Sequence, residues 1–308
     1  MHSALVVGAG TSGFLHALAL RSAGVRIAAV FDPDAERARD LAAVTGAKVA
    51  TSLAFEGDVA AICSPPQHHV AQASALARPG RLLFLEKPVA CDTAGLARLS
   101  SLPNIVPILQ WRMGQASAML REAFAADAFG PRAHVDCELA LHRDAAFRAR
   151  TADWGCDALL SIGVHALDLV MFCVGRPVVA SRITSSPSRG SVFLAFAGGT
   201  TARITIDLDG PARDRVRLAV HGAPISAELL AGEADPTSAP VRFAGPWTPR
   251  ARGATGSPLL VPLVHAALAA FERGSPFLGI SDVAAAHALA LTKNGVYPEG
   301  DAVRSGLQ

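Results

Sequence analysis

Three clusters of residues in this chain of 308 have the types and spacing to do chemistry. The first is Gly8-Ala9-Gly10-Thr11-Ser12-Gly13. Its first glycine permits a tight turn, the second lets a pyrophosphate approach the backbone, and the third allows close helix–strand packing. A phosphate would then rest on free N–H groups at a helix N-terminus. Asp32, 19 positions beyond Gly13, stands where a carboxylate would accept ribose hydroxyls and repel a 2′-phosphate, favouring NAD. Arg37 and Arg39 close by keep NADP in play. N-capping of the following helix is the structural alternative for Asp32, which precedes Pro33.

The second cluster is Glu86-Lys87-Pro88, at the end of the apolar run Leu82 to Leu85. Four consecutive apolar residues suit a parallel strand buried on both faces. A lysine just past such a strand lies where open α/β sheets bind ligands. Pro88 stops the ladder and biases Lys87 toward an extended conformation. A solvated Glu–Lys pair is the plain alternative. The third cluster is Gly163-x-His165-x-x-Asp168, with Ser161 four positions before the histidine. On a helix these three polar residues form one stripe on an otherwise apolar surface. Buried polar groups need partners or a ligand, so the stripe is either a satisfied His–Asp pair or a proton-transfer site.

Alternating elements must position these residues. Strand-like runs at 4–7, 25–31, 59–63, 82–85 and 105–109 alternate with helical segments at 12–23, 34–45, 67–77 and 92–100. This order predicts a doubly wound parallel sheet, the α/β class. Beyond Gly130-Pro131 the pattern becomes period-two: 132–142, 178–186, 191–197, 200–208 and 214–220, with a helix expected over 158–174. Such strands suit a largely antiparallel, open-faced sheet. A loop is expected over 231–258, then helices over 259–273 and 282–293. Two domains are therefore expected, 1–120 and 121–308.

Composition narrows the function classes. Hydrophobic residues at 51% and charged residues at 18% can bury a large core, and a net charge of +2 without like-charge blocks suggests no nucleic-acid partner. Five scattered cysteines without a C-x-x-C pair argue against a disulfide framework or zinc site. His134, Asp136, Glu138 and His142 share a strand face, but a solvent-, subunit- or substrate-facing surface explains them, and no metal is expected. The N-terminus lacks a basic leader, and Ser161, His165 and Asp168 interrupt the longest apolar stretch. A cytoplasmic protein without a membrane span is the expectation.

The three clusters stand in one order, and together they resemble the Gfo/Idh/MocA oxidoreductases. Ser64-Pro65-Pro66-Gln67-His68-His69 and Gln110-Trp111-Arg112 add to that resemblance. It implies an N-terminal Rossmann domain and a C-terminal α/β domain whose open-faced sheet often serves homo-oligomerisation. It also implies NAD(P)-dependent chemistry on a small molecule, usually at a sugar or cyclitol carbon. By position, Lys87 and His165 would be catalytic. Gly8, Gly10, Thr11, Ser12, Gly13, Asp32, Ser64, Pro65, His69, Glu86 and Lys87 would touch the cofactor. Ser161, Asp168, Arg112 and Trp154 would touch the substrate. The family usually has Asp where this chain has Ser161, and Trp154 to Asp157 abbreviates a longer glycine-rich segment. Other activities on the same fold are a non-catalytic dinucleotide-binding regulator and a C=N or C=C reductase; NAD-assisted glycoside cleavage has no supporting feature here.

Overall fold

The computed structural model describes residues 1–210, 214–231, 235–255, 258–292 and 296–297. They divide into two compact units. One comprises Met1–Ile108 with Leu260–Ala284, the other Leu109–Leu259 with the described residues from Ala285 onward. This division differs from a break at residue 120 and gives a late helical segment back to the first unit.

The first unit begins β1 (Ser3–Val7), α1 (Thr11–Ser22), β2 (Arg26–Phe31), α2 (Ala35–Thr45), β3 (Lys48–Val49) and β4 (Val59–Ile62). It continues with α3 (His69–Leu76), β5 (Leu82–Leu85), α4 (Thr93–Ser100) and β6 (Ile105–Pro107). The strands are parallel, in the order β3-β2-β1-β4-β5-β6. This is the Rossmann order, with its switch point between β1 and β4. Every residue of β4 and β5 is buried, as their unbroken apolar runs require. β3 has only two residues, both exposed, so it carries no apolar pattern from which to predict it.

The second unit contains α5 (Gln115–Ala125), β7 (His134–Ala140), α6 (Ala145–Asp153), a π-helical turn (Leu159–Gly163) and α7 (Val164–Val174). β8 (Val178–Ser185), β9 (Arg189–Phe196), β10 (Thr201–Asp207), β11 (Arg215–His221), β12 (Ser226–Ala231) and β13 (Arg242–Ala244) follow. α8 (Leu260–Glu272) lies in the first unit, where it packs against α1, and Ser22 Oγ is 3.1 Å from His265 Nε2. α9 (Ile280–Leu291) and β14 (Val296–Tyr297) complete the described elements. The helix end expected at 293 and parts of the loop expected over 231–258 lie outside the described residues.

The second sheet runs β13-β12-β11-β7-β10-β9-β8-β14. Its pairs are antiparallel except β7 with β10. Period-two burial holds: Ala202, Ile204 and Ile206 of β10 are buried, while Arg203 is exposed. α7 packs against β7 and β10. The opposite face carries His134, Asp136 and Glu138, all half-buried. There His134 Nε2 and His221 Nε2 lie 3.4 and 3.3 Å from the two oxygens of Asp136. Among the described residues, no group of three or more His, Cys, Asp and Glu is placed to hold a metal ion.

Burial pushes the Cys137 thiol up to about 12 and raises that of Cys173 as well. Both are expected to resist a thiol reagent in the folded protein and to react fully once it is denatured. Mass spectrometry of the labelled chain reads this directly, and native labelling of either would contradict their burial.

Candidate active site

Local sterics build the glycine loop in the first unit. Gly8 has φ +92°, and a Cβ there would lie 2.8 Å from the backbone of Cys63 and Ser64. A Cβ on Gly13 would lie 1.9 Å from the carbonyl oxygen of Gly8. Gly10 differs, because a Cβ there would meet nothing within 4 Å. It is the N-cap of α1 and no side chain caps that end, so first-turn N–H groups stay available around exposed Thr11 and half-buried Ser12. Open space beside uncapped N–H groups fits a dinucleotide pyrophosphate. Gly13→Ala is expected to weaken NAD binding at least about tenfold, because backbone rather than a flexible side chain must move. Calorimetric titration with NAD checks this, and unchanged affinity would show that the loop yields.

Asp32 ties this loop down. Its Oδ2 accepts from the N–H of Ala9 at 2.7 Å and its Oδ1 from that of Asp34 at 2.8 Å. The capping alternative for Asp32 is corrected. Asp34 caps α2, accepting from Glu36 and Arg37, because the chain needs two more residues to turn into the helix.

Ser64, His69, Glu86 and Lys87 gather beyond β4 and β5. Ser64 Oγ donates to Gln72 Oε1 at 2.5 Å, and Pro65 is half-buried. His69 was expected to touch the cofactor, but its side chain is fully buried. Its Nε2 and Nδ1 lie 2.8 and 2.9 Å from the carbonyl oxygens of Ser64 and Pro88, so it braces two neighbouring loops. Burial lowers its pKa, opposed by those two carbonyls and by the charge of Glu86. Glu86 Oε1 is 3.1 Å from His16 Nε2, and its Oε2 accepts from the N–H of Lys87. Lys87 is half-buried.

In the second unit the expected polar stripe is buried: Ser161 is 5%, His165 7% and Asp168 1% exposed. The helix predicted over 158–174 begins instead with the π turn at Leu159–Gly163, a local geometry frequent at functional sites. A Cβ on Gly163 would come within 2.9 Å of Ile206, so glycine lets this turn lie close on β10. Arg112 and Asp168, both expected to contact substrate, face each other. Arg112 Nε and Nη2 donate to the two oxygens of Asp168 at 2.8 and 2.5 Å, and its guanidinium lies 4.9 Å from the Phe172 ring centre. A planar guanidinium matches a carboxylate in this two-point way. The Trp111 ring stacks on His165 with centroids 5.0 Å apart. Its carbonyl accepts from Ser117 Oγ and Thr237 Oγ1 at 2.5 and 2.8 Å, holding that tryptophan in place. Trp154 closes α6, with the Arg150 guanidinium 5.9 Å from its ring.

Two family models match the chain. Residues 3–103 match the oxidoreductase family with an NAD-binding Rossmann fold, and residues 117–227 match the GFO/IDH/MocA C-terminal domain. The chain belongs to the Gfo/Idh/MocA oxidoreductases. It is accordingly an NAD-dependent oxidoreductase. A search of curated proteins returns no significant match. Solved Gfo/Idh/MocA-like structures share the fold over nearly the whole chain. The WlbA dehydrogenase from Bordetella pertussis, crystallised with NADH and UDP-GlcNAcA, is 18% identical with TM-score 0.78, covering 94% of each chain. The UDP-N-acetylglucosamine 3-dehydrogenase GnnA from Acidithiobacillus ferrooxidans is 21% identical with TM-score 0.76, covering 94% of this chain and 95% of its own. The myo-inositol 2-dehydrogenase from Lactobacillus plantarum is 17% identical with TM-score 0.75, over 94% and 95%.

Two residues of the site went unnoticed in the sequence. Trp111 stands in the sequence only as the middle of Gln110-Trp111-Arg112, and its stacking partner lies 54 positions away. His16 had a readable signal. It shares the buried 13-16-17-20 stripe of α1, so helical period alone places it inward.

Proposed function

We propose that this oxidoreductase moves a hydride between NAD and a carbon of a sugar, cyclitol or related small molecule, with Lys87 and His165 exchanging the proton. The observation that carries the reading is the shared carboxyl edge of three adjacent strands. The glycine loop follows β1, Ser64 follows β4 and Lys87 follows β5. Lys87 thus stands on the edge where a doubly wound sheet receives its ligand. The nicotinamide, when bound, donates or accepts the hydride. Lys87 holds or releases a proton at Nζ, and His165, its ring fixed by Trp111, does so at an imidazole nitrogen. Ser161 offers a neutral hydroxyl to hydrogen-bond substrate, which points to a substrate altered from the usual one.

The neighbours' substrates, a UDP-sugar acid and myo-inositol among them, suggest the first compounds to screen. Hydride transfer is expected to appear as a substrate-dependent change in reduced-nicotinamide absorbance. Tight NAD binding with no transfer across a broad panel of polyols, sugars, nucleotide sugars and imines would favour a non-catalytic regulator instead. Transfer to imines or enones alone would favour a C=N or C=C reductase. We also propose that the half-exposed face of the second sheet meets another copy of the chain. Light scattering at micromolar concentration is expected to give more than a monomer mass, and Arg203→Glu, exposed on that face, is expected to lower it.

A further inference from the structure

His69 opens α3, and its imidazole is fully buried between the segments that leave β4 and β5. Nε2 lies 2.8 Å from the carbonyl oxygen of Ser64, and Nδ1 lies 2.9 Å from that of Pro88. A carbonyl oxygen only accepts. A neutral imidazole brings one N–H and one bare nitrogen, so it satisfies one of these oxygens and turns a lone pair on the other. The imidazolium alone donates to both. The two segments also differ in what else holds them. Ser64 reaches α3 a second time through its hydroxyl, which donates to Gln72 Oε1 at 2.5 Å. Pro88 has no N–H to donate, and it directly follows Lys87.

We propose that His69 is a positioning residue for the segment bearing Lys87, and that it ties this segment to Ser64 only while its ring carries two protons. With one proton the ring keeps its bond to Ser64, which the hydroxyl already moors to α3, and Nδ1 goes bare. The Pro88 carbonyl then faces a lone pair where no water replaces the donor, an arrangement that a buried acceptor relieves by shifting. With two protons the spacing between the ends of β4 and β5 is fixed. Two titratable neighbours act on the ring: the charge of Glu86 favours the second proton, and His68 opposes it. Burial opposes it most, so the second proton binds below the ordinary histidine value of about 6.5 and leaves as the pH rises through that lowered midpoint. The tie is complete in mild acid and half made at neutral pH. Its effect on turnover rests on Lys87 being a proton-transfer group; the tie itself does not.

NMR on nitrogen-15 histidine counts ring protons directly, with the His69 ring assigned through its own backbone among the ten histidines. In the NAD-saturated protein, Nε2 is expected to stay protonated from about pH 8 to about pH 5, while Nδ1 is bare at the upper end and protonated at the lower. In a second sample, carbon-13 proline with nitrogen-15 valine isolates the Pro88 carbonyl among three Pro-Val steps, at 88, 177 and 240. Val178→Ile and Val241→Ile remove the other two signals. The Pro88 carbon is expected to move with the ring's midpoint in the parent chain and to stay put in His69→Gln, whose single amide nitrogen serves one carbonyl at every pH. A ring neutral at the acid end, a ring doubly protonated at the alkaline end, a proton lost from Nε2 instead of Nδ1, or a Pro88 signal alike in both proteins would overturn the proposal. Should His69→Gln fail to fold, the first three results are still read from the parent chain. Turnover of the parent is expected to exceed that of His69→Gln about fivefold near pH 5.5 and to match it near pH 8, about the worth of one hydrogen bond. Equal turnover throughout, with both NMR results as expected, would leave the tie in place and count against Lys87 as the proton-transfer group, so the two failures are told apart.

Discussion

Lys87→Ala is expected to bind NAD as the parent chain does and to turn over substrate about 10²–10⁴-fold more slowly, the range for losing a general acid or base. The affinity should survive because the proposed dinucleotide cradle is the glycine loop: Gly8 at φ +92°, the uncapped start of α1, and the bond from the Ala9 N–H to the Asp32 carboxylate. None of these uses the Lys87 side chain. The rate should fall because a proton must move on the substrate oxygen as the hydride moves on carbon. A lysine does this well only when its pKa drops from about 10.4 toward about 7–8, a shift that desolvation supplies. Lys87→Arg should not rescue, since a guanidinium does not release its proton in this range. Calorimetry with NAD and steady-state rates on the best substrate of a screen separate the two effects. Lost NAD binding with unchanged turnover would remove Lys87 from the chemistry.

Arg112→Met is expected to destabilise the protein by about 3–5 kcal/mol, because it strands the carboxylate of Asp168, 1% exposed, without its two-point partner. Arg112→Lys should recover part of the loss, as a point charge replaces a fork. The double change Arg112→Met with Asp168→Leu should recover most of it, since apolar residues in place of a buried ion pair are often neutral. Urea unfolding measures all three. Activity should follow, for Asp168 lies one helical turn beyond His165 on α7 and holds that helix to the residue next to Trp111. A direct substrate contact would look different: lower kcat/KM with an unchanged unfolding midpoint.

Much of the first unit was legible because its requirements are local. Four apolar residues in a row can only be a fully buried strand or a helix fragment, and the flanking Pro and Gly decide for β5. Less of the second unit was readable. The helices α5 and α6 passed unnoticed: α5 begins without a side-chain cap, and α6 buries only Thr151. β12 escaped because its apolar pair Leu229 and Leu230 breaks the alternation, leaving Leu230 64% exposed.

The sequence by itself determined the Rossmann sheet, the glycine loop with Asp32, and Lys87 at a strand end, since each follows from steric or periodic rules acting over a few residues. Tertiary structure alone decided who meets whom. It returned α8 to the first unit, paired β7 in parallel with β10, and opened α7 with a π turn whose residues keep helical spacing. It also joined Arg112 to Asp168, Trp111 to His165 and His16 to Glu86 across 56, 54 and 70 positions. Charge, ring and amide carry no address in one dimension. Their partners are chosen by burial, which only the packed chain can assign.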